Sequence, residues 1–347
     1  MVRGSGPGGG GRATVGPRML MTLHINSLRS LIAPGGKRKP KIELLDVPRL
    51  TSEDLGLHGL ALSTDLLKGA THSDLEKLRD RGDKAGCACL LLIEPEAQGF
   101  GDLDDDVAQG AVDRTARVLK AASLLGCSSA AVQVLGKDND AIFERTVDQL
   151  KRASEWAERL EVNLLISPRA GITGTPERTT ELIKAVGGFR IGTYPDFQTA
   201  VESGDGEAYL RRLTPFAAAL NASTIAFEQP EREPEPAEES PKQEAKQGDG
   251  GKAADAAGGS DAESDDDTEL SLEDLEAEAI LEELAELFEA PPPPVHTAYD
   301  LVPLLRAITA VGYDGTLSID YRGDGDGTLG VVQSRDALEA ALGALAE

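Results

Sequence analysis

Short apolar runs alternate with amphipathic stretches along most of this chain, and the pattern repeats eight times. The runs are mostly apolar at every position, as expected of parallel strands that are covered on both faces. Consecutive parallel strands need long crossover connections, which are right-handed in almost all proteins. The candidate strands are residues 20–26, 57–63, 88–94, 130–135, 162–167, 189–194, 222–227 and 316–321.

The connecting stretches carry apolar residues at spacings of three and four, which predicts helices. Ser73, followed three residues later by Glu76, is typical of a capping box at the start of a helix over 73–84. Pro48 interrupts the stretch 45–55, where we expect a short or irregular helix. The other candidate helices are residues 112–125, 141–160, 176–186, 207–220, 299–311 and 334–345.

Eight strands with interleaved helices predict an α/β fold, specifically a (β/α)8 TIM barrel. Without its low-complexity parts the chain has about 260 residues, close to the roughly 250 of a typical barrel. A doubly wound open sheet is the alternative, but it usually carries a glycine-rich phosphate loop after its first strand. No such loop follows Asn26, and we therefore expect no nucleotide cofactor.

The net charge of −25 is concentrated in one segment. Residues 228–295 hold about 23 acidic and about 4 basic side chains, so this segment carries most of the net charge. Its low apolar content predicts a disordered acidic insertion between strand seven and the helix that follows. The glycine-rich segment 1–18 predicts a disordered tail, which leaves residues 19–227 and 296–347 for a single barrel.

An amphipathic helix is predicted inside the insertion, over residues 271–289, because leucines recur there at helical spacing. It could dock on its own barrel or stay loosely formed, or it could bind a protein partner. Its polar face is acidic, which disfavours adsorption to a membrane.

The composition argues against nucleic-acid binding and membrane insertion and bears on the cellular compartment. The acidic balance argues against nucleic-acid binding, and no run of about 18 apolar residues predicts a membrane span. Cys87, Cys89 and Cys127 match neither a disulfide framework nor a zinc site, and are expected to be buried in a reducing compartment. The amino-terminal segment does not resemble a signal peptide. We therefore expect a cytoplasmic protein.

Reactive groups of a TIM barrel lie at the carboxyl ends of its strands and in the loops that follow. The acid–base candidates are Asp196, Asp320 and Glu94. Asp196 could instead cap a turn, and Asp320 could form an ion pair with an arginine or bind a metal. The candidates for binding a polar substrate are Asn26, Gln133, Ser167, Arg169 and Arg322.

The loop 171–177 (GITGTPE) allows two interpretations. Glycines before a helix could form an anion-binding cradle. The favoured interpretation is an ordinary loop in which Thr175 caps the helix and Pro176 is its first residue.

Three segments resemble the xylose isomerase-like TIM barrel superfamily, specifically the sugar phosphate isomerases and epimerases. They are LHGLALSTDLL, ISPRAGITGTPERTTELIKAVGGFRIGTYPDF and LLRAITAVGYDGTLSIDYRG. Within them, GTYPDF resembles the family's strand-six GTxPDFGN, and VGYDGTLSIDY resembles its strand-eight AGYxGxxxIEY. The resemblance covers roughly residues 20–227 and 299–344.

This resemblance implies a divalent metal held by Glu on strand five, Asp on strand six, a polar group on strand seven and Glu on strand eight. The matching residues here are Ser167, Asp196, Ser223 and Asp320, and Ala61 replaces a strand-two glutamate. A dication needs several charged oxygen ligands. With only Asp196 and Asp320 as charged ligands, we expect weak or absent binding of Mn²⁺ or Mg²⁺.

The resemblance implies an isomerase or epimerase that moves a proton or hydride between adjacent carbons of a sugar or polyol. The alternative is a non-catalytic barrel that binds a ligand or protein partner through its mouth or acidic arm. A related DNA-repair endonuclease is disfavoured, because the four histidines do not cluster along the predicted topology and no basic face is evident.

Overall fold

The computed structural model describes residues 19–35, 39–230 and 291–346. Eight parallel strands form one curved sheet in the order β6-β5-β4-β3-β2-β1-β10-β7. Their bounds are Leu20–His24 (β1), Gly59–Ser63 (β2), Ala88–Ile93 (β3), Ser129–Gln133 (β4), Asn163–Ser167 (β5), Ile191–Thr193 (β6), Ala219–Thr224 (β7) and Thr316–Tyr321 (β10).

The two edges of the sheet meet, which closes the barrel. Thr193 and Ala217 form one parallel bridge between the β6 and β7 regions, and Asp196 and Asn221 form another. The backbone N–H of Asn221 donates to the carbonyl of Pro195 at 2.9 Å. The predicted (β/α)8 TIM barrel is therefore confirmed.

Helices cover the outside of the sheet. Their bounds are Arg29–Ile32 (α1), Val47–Glu53 (α2), His72–Lys84 (α3), Asp105–Leu125 (α4), Asp140–Leu160 (α5), Pro176–Val186 (α6), Phe197–Glu202 (α7), Gly206–Leu213 (α8), Leu301–Ala310 (α9) and Gly327–Gly343 (α10). Thr175 caps α6 and Pro176 is its first residue, as predicted for the loop 171–177.

Capping explains where the helices begin. The capping box of α3 is formed by Thr71 and Asp74, and not by the predicted Ser73 and Glu76. Asp104 caps α4, which begins seven residues before the predicted start. Gly126 ends α4 in the left-handed conformation, with φ 80°, which glycine adopts without strain.

Strand β7 begins three residues before the predicted start at 222, and this changes the site. Helix α8 ends at Leu213, and a 3-10 turn over Thr214–Phe216 carries Pro215. The continuous apolar stretch before Asn221 had favoured a helix to residue 220. The last two residues of this stretch, Ala219 and Leu220, instead belong to the strand, so Asn221 lies inside β7.

The sheet has a layer of side chains on each face. The barrel interior holds Ala61, Leu91, Ala131, Leu165, Tyr194 and Ala219. A larger core packs between the sheet and the helices, and all three cysteines lie in it. A register shift between β2 and β3 falls at Leu60 and Ala61, opposite Cys89 and Leu91. As a result Leu91 and Ile93 contact the interior cluster, and Glu94 lies on the outer face.

A short antiparallel pair, Phe227–Glu228 (β8) with Val295–His296 (β9), joins the ends of the acidic segment. The Nε2 atom of His296 accepts from the backbone N–H of Ile225 at 3.0 Å, and Nδ1 lies 2.7 Å from the carbonyl of Tyr299. Burial lowers the pKa of His296. These contacts fix a neutral imidazole at the base of the insertion.

The described residues of Met1–Gln229 and Pro293–Glu347 form one compact unit. The predicted tail 1–18, nearly all of the predicted insertion 228–295 and the predicted helix 271–289 lie outside the described residues. Within the described ranges, no helix is long and apolar enough to cross a membrane.

Candidate active site

An arginine and two carboxylates meet at the carboxyl ends of β10, β6 and β7. The Oδ2 atom of Asp320, in β10, accepts from Nε of Arg322 at 2.8 Å. Asp196, which follows β6, accepts from Nη2 of the same guanidinium at 2.7 Å. The remaining Nη1 donates to Oε1 of Gln198 at 2.8 Å. One guanidinium therefore contacts both carboxylates that the sequence singled out, and the three groups together keep one net negative charge.

Asp196 has a second role that the sequence also allowed. Its Oδ1 atom accepts from the backbone N–H of Thr199 at 2.8 Å, which caps helix α7. Capping and the ion pair use the two carboxylate oxygens in different directions, and together they fix the side chain.

Asn221 links the two carboxylates to the barrel interior. Its amide nitrogen donates to Asp196 at 2.7 Å and to Asp320 at 3.1 Å. Its amide oxygen accepts from the hydroxyl of Tyr194 at 3.1 Å. Asn221 was not predicted as a site residue because the predicted strand seven begins at residue 222. A single polar residue within an apolar run is the signal that could have identified it.

His24 lies beside Asp320, with 3.4 Å between its Nδ1 and Oδ1 of the carboxylate. The Nδ1 atom accepts from the backbone N–H of Asn26 at 3.3 Å, so it carries no proton in this arrangement. Burial is the largest cause of the lowered pKa of His24. The imidazole is therefore neutral and does not donate to Asp320.

Asp320 is a buried carboxylate with one free acceptor. Its side chain is almost fully buried, and among the described residues its Oδ1 atom has no hydrogen-bond partner. Burial opposes its ionisation, but the guanidinium of Arg322 and the amide of Asn221, and His24 whenever it is protonated, hold its pKa below the ordinary value. Oδ1 is consequently an ionised, desolvated acceptor that lacks a donor.

Two predicted substrate-binding residues lie together at the rim. A cavity of about 570 Å³ at the carboxyl ends of β1 and β10 is lined in part by Asn26, Arg29 and Arg322. Asn26 follows β1 in a 3-10 turn, and its side chain accepts from Arg29 at 3.2 Å.

Gln133, Ser167 and Arg169 come from the other side of the barrel. Gln133 ends β4 two residues after the interior Ala131, and Ser167 ends β5 two residues after the interior Leu165. Strand alternation turns both side chains to the interior. The backbone N–H of Arg169 donates to Thr173 at 3.1 Å. None of the three contacts the Arg322 network among the described hydrogen bonds and ion pairs.

Ser223, the strand-seven residue implied by the resemblance, forms its hydrogen bonds outside the Arg322 network. Its hydroxyl accepts from the backbone N–H of Gln198 at 2.9 Å, and Tyr299 donates to its carbonyl. Ser223 therefore anchors the start of α7 and the loop before α9.

The sequence grouped Glu94 with Asp196 and Asp320 as acid–base candidates, but in the structure Glu94 does not lie with them. Because of the register shift, its side chain is on the outer face of the sheet, almost fully buried. It accepts from Nε of Arg114 at 2.7 Å and from the hydroxyl of Thr64 at 3.1 Å. This placement separates Glu94 from Asp196 and Asp320.

The mouth residues do not fit a divalent cation. Ala61 and Ser167 supply no charge where the implied ligand set has carboxylates, and Arg322 already contacts both Asp196 and Asp320. Within the described ranges, no three His, Cys, Asp or Glu side chains are arranged to hold a metal ion. A metal would have to displace the guanidinium and would find two carboxylates.

Comparison with known proteins gives a family and several structural neighbours. The sequence model of the xylose isomerase-like TIM barrel family matches residues 51–247. The structure of an L-ribulose 3-epimerase is similar, with a TM-score of 0.62 and 12% identity over 94% of this chain and 97% of that chain. No curated protein sequence matches.

Two further solved structures are similar. A D-tagatose 3-epimerase-like protein has a TM-score of 0.60 and 14% identity, over 94% of this chain and 98% of its own. The IolI protein, solved with a zinc atom, has a TM-score of 0.58 and 13% identity over the same two fractions. At these identities the likeness establishes the fold.

Proposed function

The chain belongs to the xylose isomerase-like TIM barrel family, and on that premise we propose that it is a sugar isomerase/epimerase-like protein. Its ligand is a sugar or polyol with a carbonyl group, bound at the barrel mouth. The observation that carries this proposal is the free Oδ1 of Asp320, a buried carboxylate oxygen beside a fixed guanidinium.

The reaction that suits this arrangement is a proton shift between adjacent carbons. Oδ1 of Asp320 takes the proton from the carbon next to the carbonyl, and the C–H electron pair moves onto the carbonyl oxygen. Arg322 donates to that oxygen and stabilises its charge. Asp320 then gives the proton to the former carbonyl carbon, while the hydroxyl proton on the other carbon passes to the first oxygen and a new carbonyl forms there. The proton count and the oxidation level of the molecule as a whole are unchanged, so the reaction needs no external oxidant or reductant.

The opposite side of the mouth favours isomerisation over epimerisation. Epimerisation at one carbon needs an acid on the face opposite the base. Of the residues that alternation turns to the interior there, Ser63, Gln133 and Ser167 are neutral. A single carboxylate can move a proton between neighbouring carbons on one face.

The low pKa of Asp320 makes it a weak base in the free protein. A ligand oxygen that draws an N–H of Arg322 away from the carboxylate would raise that basicity. Binding and proton transfer are then linked through one guanidinium.

A second function is a non-catalytic barrel that binds a sugar or polyol without turnover. The observation that favours it is the same ion network, because Arg322 occupies Oδ2 of Asp320 and also contacts Asp196. A protein partner for residues 271–289 and a cytoplasmic location stay predictions from the sequence.

Exchange with solvent deuterium tests the proposal. The protein is incubated in D₂O and EDTA with free and phosphorylated pentoses and hexoses, and ¹H NMR follows the hydrogen next to the carbonyl. We expect exchange with at least one compound, abolished in Asp320→Asn and retained in Asp314→Asn. Asp314 is exposed in the loop just before the amino end of the same strand and serves as the matched control.

Binding without exchange would favour the non-catalytic barrel. Exchange retained in Asp320→Asn would remove Asp320 as the base. Product formation without deuterium incorporation would indicate a hydride shift and contradict the proton mechanism.

A further inference from the structure

A second cavity, of about 580 Å³, lies on the outer side of the sheet between the turn after β2 and helix α4. Its lining includes the buried Glu94, which strand alternation turns away from the barrel interior. The proposed reaction uses none of the side chains described below. The cavity therefore has no role in the function proposed above.

The base of this cavity is a fixed polar cluster. Arg114, from α4, contacts Glu94 through Nε at 2.7 Å and through Nη2 at 2.5 Å. The same carboxylate accepts from Thr64 at 3.1 Å and from the backbone N–H of Glu96 at 3.1 Å. Both oxygens of Glu94 accept from groups of the protein, and its charge is compensated by Arg114 before any ligand enters.

The charges around the cavity leave a local positive excess. Glu94 is paired with Arg114, and Asp65 is paired with Arg29. Lys68 and Arg117 also line the cavity, and neither has an ion-pair partner among the residues that the structure describes. Among the residues that line the cavity, Glu96 is the one acid without a described ion pair, and it is exposed, as are Lys68 and Arg117.

The wall beside these cations is apolar. Leu67, Leu75 and Val118 line the cavity, together with Ala70 and Ala121. A wall of this kind binds a short hydrocarbon group, and the two cations bind an oxyanion at its end.

We propose that this outer pocket binds a small amphipathic anion, with a phosphate or carboxylate group near Lys68 and Arg117 and an apolar part against Leu75 and Val118. The chain as a whole is strongly acidic and repels anions at long range. The two cations without a described ion pair therefore make this pocket locally positive, although the net charge of the chain is negative.

The pocket is distinct from the mouth, although one turn contributes to both. Thr64 points to Glu94, whereas the hydroxyl of Ser63 donates to Asp65 at 2.5 Å, and Asp65 in turn contacts Arg29 at the rim of the mouth. The turn after β2 therefore directs Thr64 to the outer pocket, while Asp65, which also lines that pocket, pairs with Arg29 at the rim.

Titration with three small probes tests this site. The full chain is titrated with phenyl phosphate, benzoate and benzyl alcohol, and chemical shifts of the protein are followed by NMR. We expect one or both anions to bind and the neutral alcohol to bind at least about tenfold more weakly. The two anions distinguish a phosphate ligand from a carboxylate ligand.

A charge-matched pair of double variants locates the binding. Lys68→Gln with Arg117→Gln should weaken anion binding about tenfold or more, because two charge-assisted contacts are lost. Arg81→Gln with Lys84→Gln removes the same net charge from the exposed face of α3 and should change the affinity less than about twofold.

The inference is overturned if no anion binds, if benzyl alcohol binds as tightly as the anions, or if both double variants weaken binding equally. The last result would mean that overall charge, and not this pocket, attracts the anion. Thermal unfolding of both variants checks that each remains folded.

Discussion

Nη2 of Arg322 lies 2.7 Å from Oδ2 of Asp196, although 126 positions separate the two residues in the sequence. The same guanidinium contacts Asp320, so a permanent positive charge lies where the strand-end carboxylates converge. Because an arginine cannot be removed by a chelator or by deprotonation near neutral pH, this charge is a fixed part of the mouth.

Arg322→Gln should destabilise the protein. It leaves two carboxylates close together without their cation, and breaking a buried pair costs about 3–5 kcal/mol. Because 37% of the Arg322 side chain is exposed, we expect a smaller loss, about 2 kcal/mol in the free energy of urea unfolding. Arg306→Gln, an exposed residue of α9, is the control and should be nearly neutral. An equal loss in both variants would contradict a stabilising role of the network.

Asp320→Asn should change how stability depends on pH. The folded-state pKa of Asp320 lies below its ordinary value, so its ionisation stabilises the fold above the unfolded-state pKa of about 3.9. This contribution is lost as the pH falls below that value toward the folded-state pKa. The difference in unfolding free energy between wild type and variant should be constant above about pH 5 and shrink below about pH 4. A difference that widens in acid would refute this assignment.

Asn221→Ala and Tyr194→Phe should not be additive. Asn221→Ala removes the acceptor that Tyr194 uses and the amide that donates to Asp196 and Asp320, and is expected to cost about 2–4 kcal/mol. Tyr194→Phe alone should cost about 1 kcal/mol. The double variant should cost less than the sum, because the orphaned hydroxyl is gone. Simple additivity in urea unfolding would show that this hydrogen bond is not formed.

Glu94→Gln should affect stability and spare proton transfer. The variant keeps the hydrogen bond from Thr64 but loses the charge that pairs with Arg114. Because Arg114 is partly exposed, the expected loss is about 1–2 kcal/mol. Deuterium exchange with a responsive sugar should stay within about twofold of wild type. Loss of exchange in a folded Glu94→Gln protein would restore Glu94 as an acid–base candidate.

The barrel could be predicted from the sequence because each strand is short, apolar and separated from the next by a helical pattern. The ion pair of Asp320 with Arg322 was foreseeable too, since a buried carboxylate needs a cation nearby. Asn221 was missed because the predicted helix was continued past Pro215 through an apolar stretch, although that proline marks the end of α8. The sequence could not show on which face of the sheet Glu94 lies, because this depends on a register shift at Leu60 and Ala61 that only strand pairing reveals.

Anomalous diffraction from crystals soaked in Mn²⁺ tests most directly whether Arg322, and not a metal, holds the two carboxylates. We predict no anomalous peak between Asp196 and Asp320, with the guanidinium in contact with both. A Mn²⁺ peak within bonding distance of both carboxylates, with Arg322 displaced, would contradict the account.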